Sequence, residues 1–225
     1  MSAGRGRLVL FAREPVAGRV KTRLAAVLGR GPAAVLYAAF LEDLSGALRG
    51  PWETVVSHDG DAGPRLHAAF ANGWTFTPQG EGDLGERMAR AAALALSEGA
   101  GSVVLAGGDA PTLTAREVRA AFGALAAADV VFAPSPDGGF SLVGLRAPAD
   151  PVALFSDVAW SSGRALADTR GNAERAGFSV ALLPSLPDVD VAEDLAPLLE
   201  ALRKEPTLAP ATRRAIGAHH EVPVR

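Results

Sequence analysis

Six short and almost continuously apolar segments constrain the fold of this chain more than any other feature. They recur along its 225 residues at 7–12, 53–58, 102–107, 129–134, 140–145 and 178–184. Between and after them, helical spacing of apolar residues is found at 33–48, 84–99, 115–128, 163–177 and 191–204. Strands that are apolar throughout are buried on both faces, and alternation of strands with helices is typical of parallel sheets. The sequence therefore predicts an α/β fold with a mostly parallel central sheet covered by helices on both faces.

Three of the predicted helix starts carry a capping box, in which two side chains satisfy free backbone donors reciprocally. The pairs are Asp83 with Glu86, Thr114 with Glu117, and Asp190 with Glu193. No internal repeat or linker-like segment interrupts the pattern. We therefore expect one domain over residues 1–205, followed by a C-terminal tail, 206–225, that is partly helical or loose.

The composition excludes several classes of function. Hydrophobic residues make up 48% of the chain and charged residues 21%, with a net charge of −3, so bulk charge favours neither a nucleic acid nor a membrane as partner. Cysteine is absent, which excludes disulfides and thiolate chemistry. The first apolar run, 8–12, is too short for a signal peptide or a membrane span. We expect a cytoplasmic protein, and the sequence indicates no oligomeric state.

A basic loop follows the first predicted strand. The stretch "LVLFAREPVAGRVKTRLA" places Arg13, Arg19, Lys21 and Arg23 around the strand end and the start of the next predicted helix. Cations at a helix N-terminus repel the helix dipole as well as each other, unless an anion neutralises them. A phosphate group suits such a place, although the loop matches neither a Walker A motif nor GxGxxG. The alternative is a solvated basic turn whose arginines pair with acids on the surface.

Carboxylates follow two later segments. Asp109 comes after a buried strand and two glycines in "VVLAGGDAPTLT", and Asp188 and Asp190 are two residues apart in "LPDVDVAEDL". Carboxylates at strand ends beside phosphates are a usual way to hold Mg²⁺, and residues at i and i+2 of an extended segment point to the same side. The alternatives are a turn aspartate at 109 and a helix N-cap at 190.

Two glycine-containing loops complete the candidate sites. In "APSPDGGFSLVGL", Gly138 and Gly139 could let a substrate lie against the backbone while Asp137 accepts a hydrogen bond, although Pro-Asp-Gly-Gly is also a turn pattern. In "PQGEGDLGERM", residues 78–88, the glycines precede a capped helix. This segment is either a loop that grips a flat ligand or a flexible connection.

Taken together and in order, these stretches resemble one family. "FAREPVAGRVKTRLA", "QGEGDLGERM", "GGDAPTLT" with "SPDGGFSLVGL", and "DVDVAEDL" are similar to motifs of the rSAM/selenodomain-associated transferase 1 family. That family belongs to the nucleotide-diphospho-sugar transferase superfamily, and its relatives include molybdenum cofactor guanylyltransferase and the phospholactate/phosphoenolpyruvate guanylyltransferases. The resemblance covers residues 7–200 and implies the GT-A fold, a Rossmann-like three-layer α/β/α sandwich.

The resemblance also implies roles for individual residues. Lys21 and Asp109 would be catalytic. The nucleotide-binding residues would be Arg13, Lys21, Thr22, Arg23, Asp83, Gly85 and Gly108. The ligands of Mg²⁺ or Mn²⁺ would be Asp109, Asp188 and Asp190, and the acceptor would lie against Asp137, Gly138, Gly139 and Trp160. The sequence departs from the family on the acceptor side, where "DGGFS" replaces DGGYY and "WSSGRAL" replaces a W-x-T pattern.

The leading functional hypothesis is therefore a Mg²⁺-dependent nucleotidyltransferase. An NTP would react with a small phosphorylated or carboxylated acceptor, and pyrophosphate would be released. One alternative is glycosyl transfer from a nucleotide-diphospho-sugar, although "GGDAP" offers only one acid at the first metal strand, where that chemistry prefers a DxD. A nucleotide-binding module without turnover is the other alternative.

Overall fold

A seven-stranded sheet forms the centre of the protein in a computed structural model that describes residues 5–70 and 73–218. The strands are β1 (Arg7–Arg13), β2 (Glu53–Asp59), β3 (Thr75–Pro78), β4 (Ser102–Gly107), β5 (Val130–Pro134), β6 (Phe140–Arg146) and β7 (Val180–Leu182). Their order across the sheet is β3-β2-β1-β4-β6-β5-β7. Only β6 runs antiparallel to its neighbours, β4 and β5. The predicted α/β fold with a mostly parallel sheet is confirmed.

The helices lie between and after the strands. They are α1 (Ala25–Leu28), α2 (Arg30–Ala47), α3 (Pro64–Ala69), α4 (Leu84–Ser97), α5 (Ala115–Ala124), α6 (Pro151–Phe155), α7 (Ala165–Arg175), α8 (Leu195–Lys204) and α9 (Pro210–Ala218). A 3₁₀ turn, Ala192–Asp194, leads into α8. Within residues 5–70 and 73–218, no helix is both long enough and apolar enough to cross a membrane.

The sheet is buried on both faces, as its apolar strands require. Along β1, Leu8 and Leu10 belong to one hydrophobic cluster, together with Phe40 of α2. Val9, which points to the opposite face, belongs to a second cluster with Met88 of α4. Successive side chains of a strand alternate between faces, so a single strand supplies both cores.

Three short elements were not predicted from the sequence. β3 has four residues and pairs only with β2 at the edge of the sheet, so its residues are not continuously buried. The helices α3 and α6 have six and five residues, which is too short for a helical apolar period to be visible. These elements are fixed by their position against the sheet rather than by a local pattern.

Two of the three predicted capping boxes are confirmed, and the third is wrong. Asp83 caps α4 with Glu86, and Thr114 caps α5 with Glu117. At the start of α8, however, the carboxylate of Asp194 accepts hydrogen bonds from the backbone N–H groups of residues 190 and 191, at 2.7 and 2.8 Å. The 3₁₀ turn makes Asp194, not Glu193, the residue that reaches back. The Asp190 carboxylate is therefore not used as a cap.

Part of the expected C-terminal tail is helical. Helix α9 packs against α2, and the buried carboxylate of Asp43 on α2 accepts hydrogen bonds from the backbone N–H groups of Ala211 and Thr212, at 2.8 and 2.7 Å. These are free donors of the first turn of α9, so Asp43 acts as a helix cap from a distant part of the chain. The first residues of the expected tail thus belong to the packed fold, and residues 219–225 lie outside the described ranges.

Candidate active site

A cavity of 660 Å³ lies along the edge of the sheet where β1 and β4 end and β6 begins. This edge collects loops that are far apart in the sequence. Eleven residues proposed from the sequence line it: Arg13, Lys21, Thr22, Arg23, Asp83, Asp109, Asp137, Gly139, Trp160, Asp188 and Asp190. The basic loop and the late carboxylates therefore face the same cavity.

Lys21 is the centre of this site. Only 3% of its side chain is exposed, and its Nζ forms ion pairs with the carboxylates of Asp109 and Asp190, at 2.7 Å for Asp190 Oδ1. Burial by itself would lower the pKa of Lys21, but the two nearby carboxylates outweigh it and raise the pKa. The lysine is thus a fixed cation. Its backbone φ of +47° is uncommon for a residue other than glycine.

The segment before α8 carries Asp188 and Asp190 to the end of β4. The backbone N–H of Val189 donates to the carbonyl of Asp109 at 2.9 Å, and the N–H of Leu186 donates to Pro134 at 2.8 Å. The Ser141 hydroxyl also donates to the carbonyl of Leu186 at 2.7 Å. These bonds hold the segment across the ends of β4, β5 and β6, which explains why acids about 80 positions apart in the chain meet around Lys21.

Asp188 is affected by the crowding of negative charge. Burial, followed by the charges of Asp137, Asp190 and Asp109, raises the pKa of Asp188 to about 6. Burial is the larger cause, and repulsion from the neighbouring carboxylates adds to it. A further cation would relieve this repulsion.

The basic loop divides into paired and unpaired arginines. Arg13 forms an ion pair with Asp59 at 2.9 Å, and Arg87 of α4 meets the same carboxylate at 3.2 Å. Arg19 and Arg23 line the cavity, and neither pairs with a carboxylate among residues 5–70 and 73–218. The alternative interpretation of the basic loop, a surface turn whose arginines pair with acids, therefore holds for Arg13. The guanidinium groups of Arg19 and Arg23 are available to bind an anion.

The loop before α4 is held rigidly at the cavity rim. Asp83 is engaged in its capping box, with bonds of 2.8 and 2.9 Å to and from Glu86. Arg87 Nε donates to the Gly82 carbonyl at 2.8 Å, and the buried Gln79 donates to the Ser57 carbonyl at 2.9 Å. The expected nucleotide-side loop is therefore a fixed turn rather than a flexible connection.

Three of the expected ligand-facing glycines do not line the cavity. A Cβ at Gly85 would lie 2.5 Å from the Phe155 carbonyl oxygen and 2.8 Å from Nε1 of Trp160. A Cβ at Gly108 would lie 2.9 Å from Leu41, and one at Gly138 would lie 2.2 Å from the Gly163 carbonyl oxygen. Glycine at these three positions therefore allows close packing of the protein against itself, and the expected contacts of Gly85, Gly108 and Gly138 with a ligand stay predictions.

The expected acceptor side is built from the β5–β6 turn and the loop before α7. Asp137 Oδ1 accepts hydrogen bonds from the Ser135 hydroxyl and from the Gly139 N–H, the latter at 2.9 Å. The rings of Phe140 and Trp160 meet edge to face, with centroids 6.3 Å apart. The turn pattern and the cavity-facing position of Asp137 are therefore compatible.

Several residues that line the cavity were not proposed from the sequence. They include Tyr37, Gln79, Arg87, Ser135 and Phe140. Burial, together with the charge of Asp109, raises the pKa of Tyr37. The hydroxyl of Tyr37 accepts a hydrogen bond from the Arg13 N–H at 3.1 Å, and the centre of its ring lies 5.7 Å from Lys21 Nζ. Tyr37 lies within a long helical apolar pattern, so nothing in the sequence distinguishes it from a core residue.

The donor set fits a divalent cation only in part. Asp109 and Asp190 direct carboxylate oxygens at a common point, where Lys21 Nζ lies. Two carboxylates completed by phosphate oxygens and water suit Mg²⁺ or Mn²⁺. Among the described residues, no three His, Cys, Asp or Glu side chains are arranged to hold an ion by themselves. Asp188 therefore does not complete a ready site with the other two acids, and oxygens from a substrate are needed.

The chain belongs to the family described as "Uncharacterized protein conserved in bacteria" (DUF2064), which it matches over residues 44–162. No curated protein matches the sequence. Its structure is similar to that of a candidate nucleotide-diphospho-sugar transferase from Desulfovibrio desulfuricans G20, with 30% identity, 96% of each chain covered and a TM-score of 0.87. These findings support the nucleotide-diphospho-sugar transferase superfamily and class the chain with transferases.

Two more distant structures share the fold. One is a CMP:2-keto-3-deoxy-manno-octonic acid synthetase complexed with CTP, with 15% identity, 90% of this chain and 100% of the other covered, and a TM-score of 0.52. Another is a manganese complex of Rv0371C from Mycobacterium tuberculosis H37Rv, with 20% identity, 88% and 100% covered, and a TM-score of 0.51. At these identities the likeness establishes the fold alone.

Proposed function

We propose that the protein is a divalent-metal-dependent nucleotidyltransferase, and that it is a member of the rSAM/selenodomain-associated transferase 1 family within its superfamily. The acceptor attacks the α-phosphorus of an NTP and pyrophosphate leaves. The observation that carries this proposal is the placement of Lys21 between Asp109 and Asp190, in a cavity that also contains the unpaired Arg19 and Arg23.

The chemistry of phosphoryl and nucleotidyl transfer explains why this arrangement is suitable. Such reactions need in-line positioning and neutralised charge more than they need protein acids and bases. Lys21, Arg19 and Arg23 supply positive charge to a polyphosphate. Asp109 and Asp190 would hold Mg²⁺ or Mn²⁺, which neutralises phosphate oxygens when bound. A CTP-bound protein and a manganese-bound protein among the distant structures support a nucleotide and a metal, respectively.

Glycosyl transfer is the second candidate, because the similar structure at 30% identity is described as a nucleotide-diphospho-sugar transferase. The two reactions differ in the product released. Nucleotidyl transfer gives pyrophosphate from an NTP, whereas glycosyl transfer gives an NDP from a nucleotide-diphospho-sugar. Both reactions use the same cations and carboxylates, so only the products separate them.

The test is an incubation of the protein with each of the four NTPs, Mg²⁺ and a panel of small acceptors, with pyrophosphate as the readout. Parallel incubations contain nucleotide-diphospho-sugars, with NDP as the readout. We expect release of pyrophosphate only. We expect Asp109→Asn to reduce turnover by about 100-fold or more, because a bound metal stabilises the charge of the transition state by several kcal/mol.

The control is Asp61→Asn, which makes the same change of charge at an exposed residue outside the cavity. Full activity of Asp109→Asn would remove Asp109 from the metal site. NDP release would favour glycosyl transfer. Nucleotide binding without any product would indicate a binding module.

A further inference from the structure

Charge is distributed unevenly along the cavity. The sheet order places β2 and β1 on one side of β4, and β6 and β5 on the other. The cationic lining residues come from the end of β1, from the loop after it and from α4, which meets β2 through Asp59. They are Arg13, Arg19, Lys21, Arg23 and Arg87. The lining from the β5–β6 turn and from residues 160–162 includes no cation among the described residues. The half of the cavity at β5 and β6 is called the acceptor end below.

The acceptor end carries negative charge instead. Asp137 lies there, and its charge acts on Asp188, which lines the same cavity. A phosphate or carboxylate bound at this end would be repelled by both acids and would find no side chain of opposite charge. This distribution of charge favours a neutral acceptor over a phosphorylated or carboxylated one.

The same end offers groups that bind hydroxyls. Asp137 is fixed through Oδ1 by Ser135 and Gly139, and its Oδ2 has no hydrogen-bond partner among the described residues. A carboxylate oxygen held in this way accepts strong hydrogen bonds from hydroxyl groups.

Aromatic surface completes the acceptor end. Phe140 and Trp160 both line the cavity and are packed edge to face. Gly85 allows Trp160 to take this position, because a Cβ there would overlap the indole. Aromatic faces bind apolar surface, and together with a few placed polar groups they define the orientation of a small ligand. A sugar ring has both an apolar C–H face and a rim of hydroxyls.

We propose that the acceptor end binds a neutral polyhydroxyl compound of the sugar class, with its ring against Phe140 and Trp160 and its hydroxyls on Asp137. This inference rests on the proposed function, which places the second substrate at the end of the cavity opposite the nucleotide. Its binding can nevertheless be measured without any turnover.

The test uses tryptophan fluorescence. Trp160 lines the cavity, whereas Trp52 and Trp74 are buried in the core elsewhere. The protein is titrated with D-glucose and D-ribose, and separately with glucose 6-phosphate, ribose 5-phosphate and gluconate. We expect the neutral sugars to bind at least tenfold more tightly than their anionic partners, and we expect Trp160→Phe to abolish the change in emission.

Variants at the acid test the cause of the discrimination. Asp137→Asn should weaken the binding of the neutral sugars and strengthen the binding of the sugar phosphates, so that the ratio of the two affinities falls at least threefold. Asp61→Asn is the matched control, since it removes the same charge outside the cavity, and it should leave the ratio unchanged. Far-UV circular dichroism checks that each variant is folded.

The outcomes separate this inference from the proposed reaction. Equal or tighter binding of the anionic compounds by the unaltered protein would overturn the inference, and so would the lack of a Trp160 response to both neutral sugars. Sugar binding without release of pyrophosphate or NDP would support the inference and contradict the proposed function. Release of pyrophosphate with phosphorylated acceptors alone would support the proposed function and contradict the inference.

Discussion

Lys21→Met should strengthen the binding of Mn²⁺ to the protein in the absence of nucleotide. Lys21 Nζ lies where a cation bridging Asp109 and Asp190 would lie, and it uses oxygens of both carboxylates. A metal ion must displace the lysine before it can bind the two acids, because two cations cannot share this point. Methionine keeps an unbranched side chain of similar length and removes the competing charge.

The size of the effect follows from the two ion pairs. A hydrogen bond to a charged group contributes about 1.5–3 kcal/mol when it is buried. The side chains of Asp109 and Asp190 are 45% and 47% exposed, so solvent screens each interaction. We therefore take about half of the full contribution, about 2 kcal/mol in total, which corresponds to an affinity about 30-fold higher in the variant.

The measurement is a titration with Mn²⁺ followed by electron paramagnetic resonance of the free ion. The chain contains only one other lysine, Lys204, which is 74% exposed and pairs with Glu200 on the surface. Lys204→Met is therefore the matched control and should bind Mn²⁺ as the unaltered protein does. Equal or weaker Mn²⁺ binding by Lys21→Met would refute the competition.

The unaltered protein allows an independent check. With only two lysines, a protein labelled with ¹³C at lysine Cε gives two resonances. Addition of Mg²⁺ should shift the Lys21 resonance and leave that of Lys204 in place. A Lys21 resonance unmoved at saturating Mg²⁺ would show that the ion binds elsewhere, whatever the variant does.

Two further predictions concern stability. Asp188→Asn should stabilise the metal-free protein at pH 7.5 by about 1 kcal/mol after screening is allowed for, and it should have little effect near pH 4. The pKa of Asp188 in the folded state, about 6, lies above its value in the unfolded state, so its charge destabilises the folded state in full above pH 6. This destabilisation is lost as the pH falls from 6 toward the unfolded pKa. Urea unfolding in EDTA at both pH values measures this, and destabilisation at pH 7.5 would contradict it. Asp43→Ala should lower the free energy of unfolding by about 2 kcal/mol and Tm by about 4–8 °C, because it leaves two N–H groups of α9 without acceptors. Calorimetry against the exposed neighbour Glu42→Ala tests it, and equal Tm values would exclude a capping role.

The sequence predicted the parts of the fold that are determined locally. Strands such as β1 and β4 were found because both faces are covered and almost every position is apolar. The direction of β6 was not predictable in the same way, since it depends on pairing with β4 and β5 and not on the residues of β6 alone. The boundaries of α8 differ from the prediction because the preceding 3₁₀ turn transfers the cap to Asp194.

The candidate site was predictable in its charges but not in all of its contacts. The rule that ligand-binding loops gather at the carboxyl ends of strands was sufficient to bring Lys21 and Asp109 together. It could not show that Glu14, the one acid of the basic loop, turns away to cap α3 through the N–H groups of Arg65 and Leu66. Nor could it distinguish a glycine that faces a ligand from one such as Gly85, which admits an indole ring.

The balance of charge around Lys21 indicates why the site needs more than its own residues. Besides Asp83, which caps α4, four carboxylates line the cavity with this buried ammonium group: those of Asp109, Asp137, Asp188 and Asp190. Lys21 contacts two of the four, and repulsion among the acids adds to burial in raising the pKa of Asp188. A nucleotide alone would add negative charge to this cluster, and a metal alone would have to displace the lysine. Under the proposed function, binding of both together would resolve the conflict, because phosphate oxygens would pair with Lys21 while the carboxylates would hold the metal. The arrangement therefore favours cooperative binding of metal and nucleotide, and repeating the Mn²⁺ titration in the presence of an NTP would measure that cooperativity.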